Sequence, residues 1–393
     1  MALTACSSKE TTSSPGGGTV PSKGAIVISS AAPLTSPVYE VPEYKAGLKA
    51  AVDSINAAGG VHGHDLQLNV CDTQFTVNGE IGCARQIAAA KPSAVVAPFF
   101  VADQSGAVFK ILAAAGIPVI GGQGGSPAEM NSPVVYPLGS AFMGPFEGAA
   151  EGIARAGVTS ATVLCDSPNP AGSFATHLIT AALKQRGIAN VKNVTAYPAS
   201  DPTFATAAAQ ATSGGVNGIV LDANSTDNAK LIKALRADGY TGKIAVPALL
   251  LPAQSIAALG AAANGVILDS TTAFTTDTSN PGIKAFLADM HKYQPAAAVD
   301  DASLQAWGGV ELFARVANLA KAYDAASLIT TLDHISTPID IDVAGPWSVL
   351  GKLNTIKGFS RIVNPTVTFG TIKGGKVVPQ PGGFSDPFTA SGN

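Results

Sequence analysis

Few residues in this chain have the type and spacing for chemistry. His62 and His64 flank Gly63 in a turn before an apolar run, but two imidazoles need further Cys, His or carboxylate ligands to hold a metal. His177, His291 and His334 stand on helical stretches with no ligand pattern around them. There is no G-x-S-x-G nucleophile elbow and no Walker A loop. Gly121-Gly122-Gln123-Gly124-Gly125 follows an apolar run and invites a dinucleotide reading. Pro127 stands where that fingerprint needs its last glycine, and the run does not follow the first strand. The cluster therefore reads as a loop whose backbone comes close to a ligand or to a neighbouring helix. The expectation is no enzyme, no metal and no cofactor.

The cysteines say more. Cys71 ends the run Leu66–Val70, and Cys83, twelve positions on, lies in a helical stretch. A disulfide joining strand end to helix fits that spacing and contributes ~3 kcal/mol in the chain-entropy model. Cys165 closes an apolar strand and reads as a buried free thiol. Leu3-Thr4-Ala5-Cys6 has the form of a lipobox, with Cys6 as the lipidated residue. The Ser/Thr/Gly/Pro-rich segment that follows, to residue 23, reads as a flexible tether.

Composition excludes several classes. Charged residues are 13% of 393, about half the usual ~25%, and the formal net charge is -3. Nucleic acid needs clustered Lys and Arg, which this chain lacks. No run of ~20 apolar residues is long enough to span a bilayer. Any membrane association therefore rests on the lipid anchor alone.

The elements that position these residues alternate. Strands are expected at 25–29, 66–70, 94–98 and 117–121, with helices at 43–58, 79–90 and 103–115 between or after them. A second series has strands at 161–165, 191–194, 218–222, 243–246 and 265–269, and helices at 142–156, 172–186, 203–212 and 227–238. Long helices follow at 281–293, 301–323 and 325–334, then a hairpin of strands 366–371 and 376–379 around Gly374-Gly375. Continuous apolar strands between helices predict parallel sheets covered on both faces, an α/β fold.

Pro33-Leu34-Thr35 and the run from Ala51 to Gly63, above all Asn56-Ala57-Ala58-Gly59-Gly60-Val61-His62-Gly63, resemble the leucine/isoleucine/valine-binding protein family. These are the type I solute receptors of ABC importers. Ala115–Ile120 and Ser126-Pro127 are similar to it as well, as is the Cys71/Cys83 pair. The resemblance implies two doubly wound Rossmann-like lobes joined by three crossover strands, near 138–141, 270–274 and 340–345. Residues 24–139 with 271–342 would form one lobe and 140–270 with 343–379 the other, leaving 380–393 as a loose tail. A small-molecule ligand would sit between the lobes at the strand C-terminal ends, and closure would be read by a permease.

Position by position, the resemblance puts the family's first-lobe hydroxyl at Ala102 and its second loop at Gln123, Gly124 and Gly125. The second-lobe acid falls in Ala248-Leu249-Leu250, a second-lobe aromatic on Ala171, and a first-lobe aromatic on Tyr39. A buried ammonium without an acid partner is costly, which argues against a free α-amino acid. Tyr39, Phe99, Phe100, Leu249 and Leu250 would then make an apolar cleft, with Asp103, Gln123, Asn169 and Asn224 as hydrogen-bonding groups. Phe99 and Phe100 read equally as core, and Asp103 as a helix cap. The expected protein is an extracytoplasmic, lipid-anchored, monomeric receptor for a small apolar or aromatic compound, working with an ABC permease. A sensor of the same fold and a branched-chain amino acid receptor are the alternatives.

Overall fold

A computed structural model describes residues 24–166 and 170–391. Cys6, the 1–23 segment and Asn169 lie outside the described residues, as does the side chain of Ala171.

The first series folds as β1 (Ile26–Ala32), α1 (Pro42–Ala57), β2 (Leu66–Asp72), α2 (Val77–Ala90), β3 (Ala94–Val96), α3 (Ala107–Ala114), β4 (Val119–Ile120) and β5 (Val135–Tyr136). The five strands form one parallel sheet in the order β2-β1-β3-β4-β5. β1 is nearly all buried because helices cover both its faces, which is why it is apolar apart from the buried Ser29 and Ser30. The second series is α4 (Met143–Arg155), β6 (Ser160–Cys165), α5 (Pro170–Gln185), β7 (Asn190–Thr195), α6 (Ala205–Thr212), β8 (Gly218–Asp222), α7 (Ser225–Ala237), β9 (Lys243–Pro247), α8 (Ala253–Leu259) and β10 (Ile267–Ser270). Its sheet runs β7-β6-β8-β9-β10 in parallel, then continues antiparallel through β11 (Thr368–Lys373) and β12 (Lys376–Pro379). The fold is thus α/β with two lobes, each built on a mostly parallel sheet.

Three further helices lie between β10 and β11 in sequence: α9 (Pro281–Tyr293), α10 (Asp301–Leu319) and α11 (Ala325–Asp333). They return to the first lobe, where α9 and α10 pack on α1. Gly47 makes that contact possible, since a Cβ there would stand 2.1 Å from the Ser303 carbonyl oxygen. α10 is started by a capping box in which Asp300 and Ser303 satisfy each other's backbone donors.

The chain passes between the lobes near 137–142 and again after β10, where the Ala273 N–H donates to Val343 O at 2.8 Å. The third crossing departs from expectation. Residues 344–363 do not enter the second lobe at 343. Trp347 is fully buried in the first-lobe core with Tyr136 and Leu138, and its indole N–H donates to Pro137 O at 2.8 Å. Leaving a Trp ring and its N–H unpaired would be costly, so the segment folds back before crossing. Buried Asn364 then bridges two crossings, donating to Leu138 O and Gly345 O, both at 3.1 Å. The chain joins the second sheet only at β11.

The tail also differs from the expected loose end. Ser385 pairs with Val367, Arg155 donates to the Ser385 hydroxyl at 3.1 Å, and Arg186 donates to Pro387 O. Phe388 is buried among Met130, Met143, Ile356 and Ile362, beside the first crossing. An aromatic ring with an apolar site within reach outweighs the turn-forming composition around it.

Candidate functional site

The C-terminal ends of β1, β3 and β4 carry the first-lobe side of the site. Tyr39, 44% exposed, has its ring centroid 5.1 Å from Phe75 and 6.0 Å from Phe99. Phe99 in turn meets buried Tyr44 edge-on at 5.5 Å. Burial, and secondarily the Glu43 and Asp300 carboxylates, push the Tyr39 phenol up to about 12. The Gln123 amide donates to Tyr44 Oη at 3.1 Å, which anchors one end of the Gly-rich loop. Gly124 is required there: its φ is 66°, and an added Cβ would lie 2.2 Å from the Ala141 methyl in the crossing segment. The loop therefore lies directly against the first crossing.

Two buried carboxylates hold these loops from below. Glu80, at the start of α2, accepts from the N–H groups of Val101 and Ala102 at 2.8 Å and of Asp103 at 2.7 Å. Burial pushes its carboxyl up, against the pull of those three bonds. Glu129 is fully buried, accepts from the Gly125 N–H at 2.8 Å through Oε2, and has no partner at Oε1. Burial moves it up to about 7, with Glu80 adding a smaller push.

On the second lobe, the ends of β6, β8 and β9 bring Asp166, Asp222, Asn224 and Leu249 to the corresponding edge. Asp222 accepts from the Thr176 hydroxyl at 3.3 Å, and burial raises its carboxyl to about 7, Asp166 contributing further. Phe142, at the entrance to α4, lies 5.9 Å from the partly exposed Phe174 and donates its N–H to Gly124 O at 3.3 Å. At the base between the lobes, Gly122, Gln123, Gly139, Thr271 and Gln305 line a cavity of ≈ 20 Å³, room for about one water. A larger open depression of ≈ 740 Å³ lies elsewhere, along β2 between α1 and α2, away from these loops.

The expected site residues divide. Tyr39, Phe99, Ala102 and Gln123–Gly125 come together on the first lobe. Phe100 does not: it is 1% exposed and packs edge-on against Phe109 in the core. Asp103 is not free for a ligand either, because its carboxylate accepts from Ser105 N–H, Ser105 Oγ and Val108 N–H at the start of α3. Against the cost of burial, those bonds hold it below its ordinary range. They also explain why α3 begins at Ala107 rather than 103. Asn224 is the N-cap of α7, accepting from Asp227 N–H at 3.0 Å and donating to Asp166 and Asp227. Leu249 is 53% exposed, and Leu250 offers its carbonyl to Asn228. Phe75, Tyr44, Glu80 and Glu129 were not singled out from sequence. Phe75 had a signal, its place in the turn after β2; the two glutamates had none.

Cys71 and Cys83 form the expected disulfide, and Cys165 is a buried free thiol. Among the described residues, no group of three or more His, Cys, Asp or Glu could hold a metal ion, and no helix is long and apolar enough to cross a membrane.

A search of curated proteins finds no match. Among solved structures, the chain is similar to an extracellular ligand-binding receptor from Verminephrobacter eiseniae, with 20% identity, TM-score 0.69, and 90% of this chain and 99% of that one covered. It is similar to a fatty acid ABC transporter substrate-binding protein from Thermomonospora curvata, with 16% identity, TM-score 0.74 and 95% of each chain covered. A third likeness is the branched-chain amino acid transporter substrate-binding protein LivJ from Streptococcus pneumoniae in complex with isoleucine, at 18% identity and TM-score 0.68, covering 91% and 100%. At these identities the likeness is one of fold. The periplasmic binding protein family model matches residues 25–373. A two-lobed α/β chain, with its loops gathered at facing strand ends and matched over nearly its whole length, belongs to the periplasmic binding protein family.

Proposed function

We propose that the protein is an extracytoplasmic solute receptor that encloses a small apolar or aromatic compound between its lobes and presents it to the permease of an ABC importer. The observation that carries this reading is the aromatic wall of Tyr39, Phe75 and Phe99 at the first-lobe strand ends. Apolar walls with few polar groups are the ordinary form of a small-molecule site. Residues 24–139 with 271–363 would move as one body and 140–270 with 364–391 as the other, closing about the three crossings as a monomer. Cys6 would carry the lipid anchor, which labelling with a radioactive fatty acid in wild-type and Cys6→Ser chains would test.

A thermal-shift screen of aromatic acids, their amides and alcohols, medium-chain fatty acids and amino acids tests the ligand class. A ligand at 100 times its Kd stabilises the protein by about 2.7 kcal/mol, readily visible as a shift in Tm. Shifts confined to leucine, isoleucine and valine would replace this reading by branched-chain amino acid binding, which the isoleucine complex of the LivJ protein keeps in view. No shift with any compound would count against solute transport.

A further inference from the structure

We propose that Glu80, helped by Glu129, sets the charge class of the ligand: by taking the backbone donors of the two first-lobe loops, the pair makes this half of the cleft select a neutral group over a carboxylate. The inference rests on the reading that the ligand binds between the lobes. Bound carboxylates are held by converging backbone N–H groups, by a helix N-terminus or by a cation. On the loops after β3 and β4, the 101–103 donors, the Gly125 N–H and the α3 N-terminus are already taken. Glu80 takes the N–H groups of Val101, Ala102 and Asp103, and Glu129 takes that of Gly125. Asp103 occupies the N-terminus of α3, accepting from Ser105 and Val108. The Gln104 amide bonds to Val101 O and Gly125 O, joining the two loops. Among the described residues, the small cavity beside the Gly-rich loop, with room for about one water, is lined by no Lys, Arg or His. An incoming carboxylate would give up its water for few remaining donors, whereas an amide or a hydroxyl could use the loop carbonyls as well as the free groups of Gln123.

The test is a matched pair of series: phenylacetate, phenylacetamide and 2-phenylethanol, and octanoate, octanamide and 1-octanol. Calorimetric Kd values at pH 7.5 should favour the best neutral member over the acid by at least tenfold. Glu80→Gln, which introduces donors in place of one acceptor and frees loop N–H groups, should narrow that ratio at least threefold. Equal or tighter binding of the acid by the wild type overturns the proposal and leaves the apolar-ligand reading intact. A ratio unchanged in Glu80→Gln also overturns it. A second arm needs no ligand. Amide exchange at 101–103 should be protected in the free protein and at least tenfold faster in Glu80→Gln, and Glu129→Gln should accelerate Gly125. Unprotected amides at 101–103 overturn the proposal. If no member of either series binds, the apolar-ligand reading fails and the exchange result alone decides this one.

Discussion

Glu129→Gln should abolish the pH dependence that Glu129 gives to first-lobe stability. Glu129 is fully buried with one carboxyl oxygen unpartnered, and burial raises it from an ordinary 4.5 to about 7. In the unfolded chain the group ionises near 4.5. Its contribution to stability is therefore fully present below pH 4.5 and is lost as pH rises from 4.5 through about 7. At ~1.4 kcal/mol per pKa unit the loss amounts to about 3 kcal/mol. Glutamine cannot ionise, so this slope vanishes. Its carbonyl oxygen can still accept from the Gly125 N–H, which places the amide NH2 where Oε1 had no partner; a buried unpaired donor costs about 1–2 kcal/mol. The variant should then be less stable than wild type by about 1–2 kcal/mol at pH 4.5 and more stable by a similar amount above pH 7. The two curves should cross between these limits. Glu80 contributes to the wild-type slope, because its like charge helps raise Glu129. The assay is urea denaturation at half-unit steps from pH 4.5 to 8.5, followed by tryptophan fluorescence. Both tryptophans, Trp307 and Trp347, are buried in the first-lobe core, so the signal reports the lobe that holds Glu129. Parallel curves across the whole range would refute the reasoning.

Four further outcomes follow. Reduction of the Cys71–Cys83 bridge, or the paired substitution to Ser, should lower stability by ~3 kcal/mol, seen as a drop in Tm with dithiothreitol that the paired variant does not show. Phe388→Ala should cost ~3 kcal/mol in chemical denaturation, since its ring fills the cluster beside the first crossing. Gly124→Ala, placing a methyl 2.2 Å from Ala141 at a positive φ, should weaken ligand binding at least tenfold in calorimetry, with a smaller loss of Tm than Phe388→Ala. Tyr39→Ala should also weaken binding at least tenfold while Tm without ligand stays within 2–4 °C, because the ring is 44% exposed and contributes little to the core.

The alternation of apolar runs and helical stripes was enough to place both parallel sheets and nearly all their helices. In β1 and β8 burial on both faces makes the strand mostly apolar, Ile26–Ile28 and Ile219–Leu221 forming unbroken apolar runs. Two-residue β5 and seven-residue α8 were missed because they are too short to show a period. Residues 344–363 and the tail were misplaced for a different reason. Their position depends on single anchors, the Trp347 indole on Pro137 O and the Phe388 ring among side chains far away in sequence. Local composition carries no trace of such a partner.

The site shows the same limit more sharply. Tyr39 and Gln123–Gly125 could be named because the family resemblance puts site positions there, and Phe99 because strand ends gather at one edge of a wound sheet. Phe100, one residue from Phe99, points the other way, as alternation along an extended segment requires, and sequence alone left the two equal. Glu80 was invisible. On α2 it looks like a surface glutamate in the first turn, a favourable place for an acid beside the helix N-terminus. Only the folded chain turns it inward, to within 2.8 Å of three backbone donors on a loop twenty residues away. A low charge content therefore does not by itself describe the ligand. What matters is where the remaining carboxylates lie, and at this site they occupy the positions an anionic ligand would need.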